Sequence, residues 1–443
     1  MKNFFLSVTA KIIFIGFLIL LLFFPLSEIE YSISNREYRQ IEAKDEVSEK
    51  WGKAQKIFGP ILIIPVDRIY TETFYDKGKE FFVTKKEPIE IFFLPENLQV
   101  NSKITPEIRS RGIFKVPLYR SKIKIEGEFL YKNLKQFLEK NEDLKIKQNA
   151  TLSLGFSDEI GIETPPKIFL KKEQEKEFFP GTKNEFWKTG VHTEISDLEK
   201  LKNFTIDLNL KGYNSFTIVP AGKNTNMHME SSWPTPSFFG KFLPKKHEIS
   251  DKGFVANWDI PYFSRNFPQI FLTKNAEIHS NEIHNSDFGV EFFIPVDFYQ
   301  KNERAIKYSV LFIILTFGSF FVFEILQKLK IHPIQYLAVG AAICIFYLLF
   351  LAFSEHIGFF YAYILSASAT IFLISIYSFF ILKSLKNATA IAGILCLFYI
   401  YLFFLLQMED FAFLFGAIFL FLILALFMFL TRKIDWYKIS FDR

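Results

Sequence analysis

Residues 331–358 open with Ile331-His-Pro-Ile-Gln-Tyr336, continue as an almost unbroken apolar stretch and close with Ser354-Glu-His-Ile-Gly358. This pattern reads as one membrane-crossing helix with both ends marked. Pro333 lies just inside the helix start, where a missing N–H costs nothing. Roughly twenty apolar residues follow, enough to cross the hydrocarbon core. The far end is polar but carries no Lys or Arg. Residues 305–326, 359–382, 388–407 and 411–430 repeat the plan, so the C-terminal third is expected to form five membrane helices.

The N-terminus carries a shorter apolar run, residues 12–24, preceded by Lys2 and Lys11. A cleaved secretory signal and an uncleaved signal anchor both begin this way. Phe23-Phe24-Pro25-Leu26-Ser27-Glu28 offers no small-x-small cleavage site, which favours the anchor. In either case the polar middle of the chain is translocated. Positive charge sets the direction. Lys2, Lys11, Lys328, Lys330, Lys383, Lys386, Arg432, Lys433, Lys438 and Arg443 share one side if the N-terminus is cytoplasmic. The short loops on the other side hold Glu355 and Glu409-Asp410 instead. Lys301, Arg304 and Lys307 dissent, but they end a long translocated segment, where the rule has little force.

Composition sharpens the division. Phe occurs 57 times in 443 residues, and the apolar residues gather at the N-terminus and in the C-terminal third, leaving a polar middle. The net charge of +5 is spread over scattered lysines with no arginine-rich arm, so no nucleic-acid partner is expected. The two cysteines, Cys344 and Cys396, both lie in apolar runs, which excludes a disulfide framework for the middle.

The middle changes period. Ile123, Ile125 and Phe129 alternate with charged residues, as do Phe204, Ile206, Leu208 and Leu210. Such alternation marks antiparallel strands with one buried and one wet face. Gly212-Tyr213-Asn214 is expected to turn the chain back into Phe216-Thr-Ile-Val219. Ile61-Leu-Ile-Ile-Pro-Val66 reads as a more buried strand with Pro65 near an edge or bulge. Residues 28–56 read as a membrane-proximal helix, and 133–140 as a short helix capped by Asn133. The whole suggests a sandwich or stacked sheets.

Common catalytic signatures are absent: no G-x-S-x-G, P-loop, H-E-x-x-H or G-x-G-x-x-G, and no Cys pair for zinc. No catalytic residue, metal ligand or cofactor is therefore expected. Met227-His228-Met229 and His279 with His284 have the right donor types for copper or zinc, but such spacings are common by chance. The candidate ionisable cluster is Glu355, His356, Glu409 and Asp410, which top neighbouring helix pairs on one side. Intramembrane ionisable groups mark proton or ion paths, whereas exposed loops of this composition follow from topology alone. Glu324 is expected to snorkel or to pair with Lys328 at i+4. Candidate recognition loops are the aromatic, proline-containing segments around Trp233, Phe238, Arg265 and Phe267; the alternative is that they are rigid turns over the sheet. Ala362, Ser366 and Thr370 put small residues on one helix face, suited to close packing.

Several strings resemble the CreD family of bacterial inner-membrane proteins: Tyr299-Gln-Lys-Asn-Glu-Arg-Ala-Ile-Lys-Tyr308, Ile331-His-Pro-Ile-Gln-Tyr336, Ser354-Glu-His-Ile-Gly358, Gln407-Met-Glu-Asp410 and Thr431-Arg-Lys-Ile-Asp-Trp-Tyr437. Ser232-Trp-Pro-Thr-Pro-Ser-Phe238 and Arg265-Asn-Phe-Pro-Gln269 look like family motifs as well. The resemblance implies an inner-membrane protein with a large periplasmic domain, linked to envelope stress, colicin tolerance and β-lactam response. It brings no catalytic residues.

The expected fold class is an α+β membrane protein with an N-terminal anchor helix, a large β-rich periplasmic domain and a C-terminal five-helix transmembrane bundle. Its parts are 1–27 (cytoplasmic N-terminus and anchor), 28–304 (periplasmic domain), 305–432 (bundle) and 433–443 (cytoplasmic tail). The expected partners are the lipid bilayer and an envelope component or periplasmic protein. The leading functional reading is a non-enzymatic envelope-integrity or stress-response protein. The alternative is a proton-coupled transporter or lipid-handling protein using the four ionisable residues.

Overall fold

The computed structural model describes residues 8–76, 79–147, 149–170, 174–184, 187–198, 201–292, 298–327, 329–408 and 411–432. In chain order the elements are α1 (Val8–Trp51), β1 (Gln55–Asp76), β2 (Lys79–Phe93), β3 (Asn97–Arg111), β4 (Phe114–Glu128), α2 (Tyr131–Lys140), β5 (Leu144–Ile146), β6 (Ala150–Phe156), β7 (Ile162–Leu170), β8 (Gln174–Glu177), β9 (Phe179–Pro180), β10 (Gly190–Ile195), β11 (Asn203–Tyr213), β12 (Ser215–Ile218) and β13 (Asn224–Ser231). The chain continues with β14 (Pro236–Gly240), β15 (Lys246–Ser250), β16 (Gly253–Ile260), β17 (Ile270–Leu272), α3 (Thr273–His284), β18 (Phe288–Phe292), α4 (Phe298–Lys307), α5 (Ser309–Leu326), α6 (Pro333–Ile357), α7 (Phe359–Leu382), α8 (Leu385–Gln407) and α9 (Ala412–Thr431). They divide into a helical unit, Met1–Ile41 with Val296–Arg443, and a β-rich unit, Glu42–Pro295. Among the described residues six helices (α1 and α5 to α9) are long and apolar enough to cross a membrane.

The β-rich unit stacks two sheets. One runs β14-β18-β12-β1-β6-β10-β9, with β2 and β5 also paired to β1 and β17 to β2. The other runs β15-β16-β13-β3-β4-β11-β7-β8. Phe204, Ile206, Leu208 and Leu210 of β11 are all buried, and so are Ile123 and Ile125 of β4 beside them. Aromatic pairs bridge the two layers: Phe93 with Phe129 at 5.5 Å, Tyr119 with Phe292 at 5.0 Å, and Trp258 with Phe288 at 5.6 Å between ring centroids. The rings of all three pairs are tilted to one another, and aromatic pairs at such centroid distances add to what area burial alone gives.

Three local expectations change. The segment after β11 does not fold back beside it: β12 pairs with β1 in parallel and with β18, in the other sheet. Asn214, at φ 61°, makes the corner in the left-handed region that Asn tolerates, and the Tyr119 hydroxyl donates to the Ser215 carbonyl just past it. The first helix does not break between the anchor and the polar segment; α1 is continuous through Pro25. In α2 the capping position is Leu130, while Asn133 sits in the first turn and its side-chain amide donates to Glu96. Pro65 falls where β1 changes neighbours. β6 pairs up to Ile63 and β5 begins at Val66, so the missing N–H faces a gap in that ladder.

In the helical unit one stripe of α1 is buried: Leu18, Leu22, Leu26, Ile29 and Ile33. Steps of three and four residues keep that stripe on one face. The opposite face, including Phe17, Leu20, Leu21 and Phe24, is exposed, as a lipid-facing surface would be. α1 lies against α6. A Cβ on Gly340 would collide with Leu22 and Phe317, so glycine here sets how closely the two helices approach. Ala362, Ser366 and Thr370 of α7 are buried together, matching the close-packing face read from their spacing.

Candidate functional site in the membrane unit

α1 and α6 run side by side in the same direction. Lys11 meets the backbone at Ile331, Leu22 meets Gly340, and Arg36 meets Glu355. Lys11 to Arg36 and Ile331 to Glu355 cover nearly equal lengths, about 36–38 Å at 1.5 Å per residue. A charge pair closes the seam at each end.

At the first end Glu324, near the end of α5, is completely buried. Its carboxylate accepts from the Lys11 ammonium, from the Tyr336 hydroxyl at 2.9 Å and from the Ile331 N–H at 2.9 Å. Lys11 also donates to the Ile331 carbonyl at 2.8 Å. One carboxylate thus ties α1, α5 and the entry of α6 together. The entry itself is fixed by a capping box: Ile334 N–H donates to the His332 ring and Gln335 accepts from His332 N–H, with Pro333 at the first helical position. The expectation that Glu324 snorkels gives way: it is buried and engaged by residues distant in sequence. Its expected pairing with Lys328 falls on a residue outside the described ones.

At the other end the Glu355 carboxylate accepts from the Tyr299 hydroxyl at 2.9 Å and lies 3.4 Å from the Arg36 guanidinium. Asn302, one turn along α4 from Tyr299, donates to Ser354 at 3.3 Å. Tyr299, Asn302 and Ser354 are all buried. The spacing of three puts Tyr299 and Asn302 on the same face of α4, which therefore docks on the end of α6. Arg304 donates to the Met408 carbonyl at 2.7 Å, closing the end of α8. His356 is exposed. Glu409 and Asp410, the other half of the expected ionisable cluster, lie outside the described residues. Tyr299 and Arg36, absent from that cluster, are what Glu355 contacts. Tyr299 stands in one of the family-like strings, while nothing near Arg36 in sequence signals its distant carboxylate.

In the β-rich unit Trp233, Arg265 and Phe267 are buried and Phe238 half-buried. The Trp233 indole donates to Thr235 and packs edge-on against Phe292. Phe238 packs edge-on against Phe254 and Trp258. The Arg265 guanidinium donates to the Pro220 and Ala221 carbonyls and to Gln269, and lies 4.5 Å over the Phe267 ring. Burial lowers its pKa to about 10, so it keeps its charge at neutral pH. These side chains pack into the turns, while Phe263 of the same segment as Arg265 and Phe267 is exposed. Met227 and Met229 face the core while His228 faces out to Asn257, so the three do not converge. His284 stacks on Trp187, and His279 contacts Glu282.

The C-terminal end of α1 belongs to the β-rich unit. Trp51 lies under Arg109, Arg120 and Lys211, 4.0, 4.8 and 5.1 Å from the ring centroid. Glu46 accepts from Lys50 and from Arg111, and Glu107 from Arg109. The Lys50 and Arg111 bonds hold the Glu46 carboxyl below its usual range, as Arg109 does for Glu107. A carboxylate with a depressed folded pKa stabilises above the ordinary carboxylate range, and that contribution is lost as pH falls through the folded value. The contact of residues 42–51 with the sheet is thus expected to loosen only on acidification below that range. The fluorescence difference between the protein and its Trp51→Phe variant, followed against pH, checks this; a change between pH 6 and 8, roughly the window where His titrates, contradicts it.

An α-helical membrane unit joined to a two-sheet unit inserted between its first and second spans defines a multi-pass membrane protein with a large extramembrane domain. The chain belongs to the CreD family: the profile described as Inner membrane protein CreD matches residues 7–437. It is 34% identical to Inner membrane protein CreD of Escherichia coli (strain K12) over 425 residues, covering 95% of this chain and 92% of that protein. Four of the family-like strings meet at the ends of the bundle: Tyr299–Tyr308 with Ser354–Gly358 and with Met408, and Ile331–Tyr336 with Glu324.

Proposed function

We propose that this chain is a non-enzymatic protein of the bacterial cell envelope that acts under envelope stress. Its β-rich unit lies on the periplasmic side and binds an envelope component or a periplasmic protein. The membrane unit anchors it and passes on its bound state through α1, which contributes to both units. The observation that carries this reading is the state of Glu324. A proton carrier needs a carboxylate that exchanges partners with water, whereas this one is buried and held by three fixed donors on two other segments. It serves as a joint. Orientation follows from the lysines near Lys330, Lys383 and Lys386, opposite Glu355. Lys11 weighs less in that balance, because its charge is neutralised by Glu324.

The test is complementation of a deletion strain under envelope stress with Glu355→Gln, His356→Ala and Glu409→Gln, each checked for normal membrane levels. Resistance equal to the parent in all three is the expected result. Failure of any one at normal levels would overturn this reading in favour of coupled transport or lipid handling.

A further inference from the structure

Beyond the last buried contacts of the seam, α1 and α6 leave a groove of about 330 Å³ inside the membrane unit. The α6 side is apolar, formed by Leu348, Leu351 and Ala352, and ends in Glu355. The α1 side is polar, formed by Ser32, Asn35, Arg36 and Arg39, with Arg36 level with Glu355 and so beyond Leu348 and Leu351 along the helices. Arg36 and Arg39 are three residues apart, hence on one helix face. Both are exposed. Arg36 spends one N–H on Glu355 at 3.4 Å, and Glu355 takes a second bond from Tyr299. Among the described residues no carboxylate pairs with Arg39. Two guanidinium groups therefore face one carboxylate that is already engaged, which leaves the groove with net positive charge.

The place of the groove matters as much as its charge. It sits at the end of the α6 span, where the apolar run gives way to Ser354 and Glu355, and past the apolar part of α1. At that depth lipid headgroups begin, on either face of the membrane. An arginine pair above an apolar wall matches an anionic headgroup whose glycerol and first methylenes continue downward. Guanidinium groups bind phosphate oxygens in a bidentate manner that ammonium groups do not reproduce.

We infer that the groove between α1 and α6 is a binding site for one anionic phospholipid, with Arg36 and Arg39 on the headgroup phosphate and Leu348 and Leu351 along the glycerol and upper acyl chain. The full-length protein, purified in mild detergent, is incubated with phosphatidylglycerol, with phosphatidylcholine or with inorganic phosphate. Bound lipid is then counted by native mass spectrometry. Phosphatidylglycerol is expected to be retained over phosphatidylcholine, and inorganic phosphate is expected not to displace it. The R36Q/R39Q double variant is expected to lose affinity by roughly tenfold or more. Ala352→Trp fills the groove while leaving both arginines and the Glu355 contacts in place. It is expected to show the same loss, and it decides the matter if the double variant does not accumulate. Equal retention of phosphatidylcholine, displacement by inorganic phosphate, or wild-type retention in folded variants each overturns the assignment.

Discussion

Lys11→Met is expected to destabilise the membrane unit by about 3–5 kcal/mol, because it leaves the Glu324 carboxylate buried with no counter-charge among the described residues. Glu324→Gln leaves the Lys11 ammonium in the same position and is expected to cost a similar amount. The Ile331 N–H and the Tyr336 hydroxyl donate to different oxygens of the carboxylate, and Gln keeps one of them, so that variant removes the charge together with one acceptor. The two effects share one interaction and are not additive. The double variant Lys11→Met/Glu324→Gln is expected to be more stable than the sum of the singles by about 1–3 kcal/mol. Unfolding of the purified protein by denaturing detergent reads all three. Additive losses would mean that the two residues act independently. The pair joins α1 to α5 and to the entry of α6, so the singles are also expected to lower membrane levels.

The second large effect belongs to the β-rich unit. Arg265→Leu removes the donors that satisfy the Pro220 and Ala221 carbonyls and Gln269, and is expected to cost about 3 kcal/mol or more. Lysine keeps the charge but has neither the planar fork nor the stacking on Phe267 and Tyr262. Arg265→Lys is therefore expected to fall between the parent and the leucine variant in thermal unfolding of the full-length protein. A leucine variant as stable as the parent would show that the loop tolerates the loss of this anchor.

The membrane spans and the alternating strands were legible because each rests on a local period: a run of apolar residues in α6, a two-residue rhythm in β4 and β11. The remaining features depend on contacts between distant residues. Spacing makes Lys328 the natural partner for Glu324, since a helix displays in its sequence only the pairs three and four residues apart. The cation that Glu324 meets among the described residues lies 313 residues away. The corner at Asn214 has the composition of a hairpin turn, yet the next strand completes the other sheet, because Ser215–Ile218 fits between β1 and β18. Arg265 reads as a polar residue of an aromatic loop. Its acceptors are backbone carbonyls, whose positions no sequence displays, and they draw it inside. For Glu355 the residue was legible but not its setting: Tyr299 and Arg36 come from two other helices.

The central claim, that the β-rich unit is periplasmic, is tested most directly by the side of the membrane on which each part lies. Asp251 is exposed at the turn between β15 and β16, and Lys383 is exposed at the turn between α7 and α8. Single cysteines are placed at each position in a chain whose Cys344 and Cys396 are replaced, and intact cells are treated with a membrane-impermeant thiol reagent. Asp251→Cys is predicted to label in intact cells, and Lys383→Cys only after the inner membrane is opened. Labelling of Lys383→Cys in intact cells with Asp251→Cys protected would contradict the claim, placing the β-rich unit in the cytoplasm.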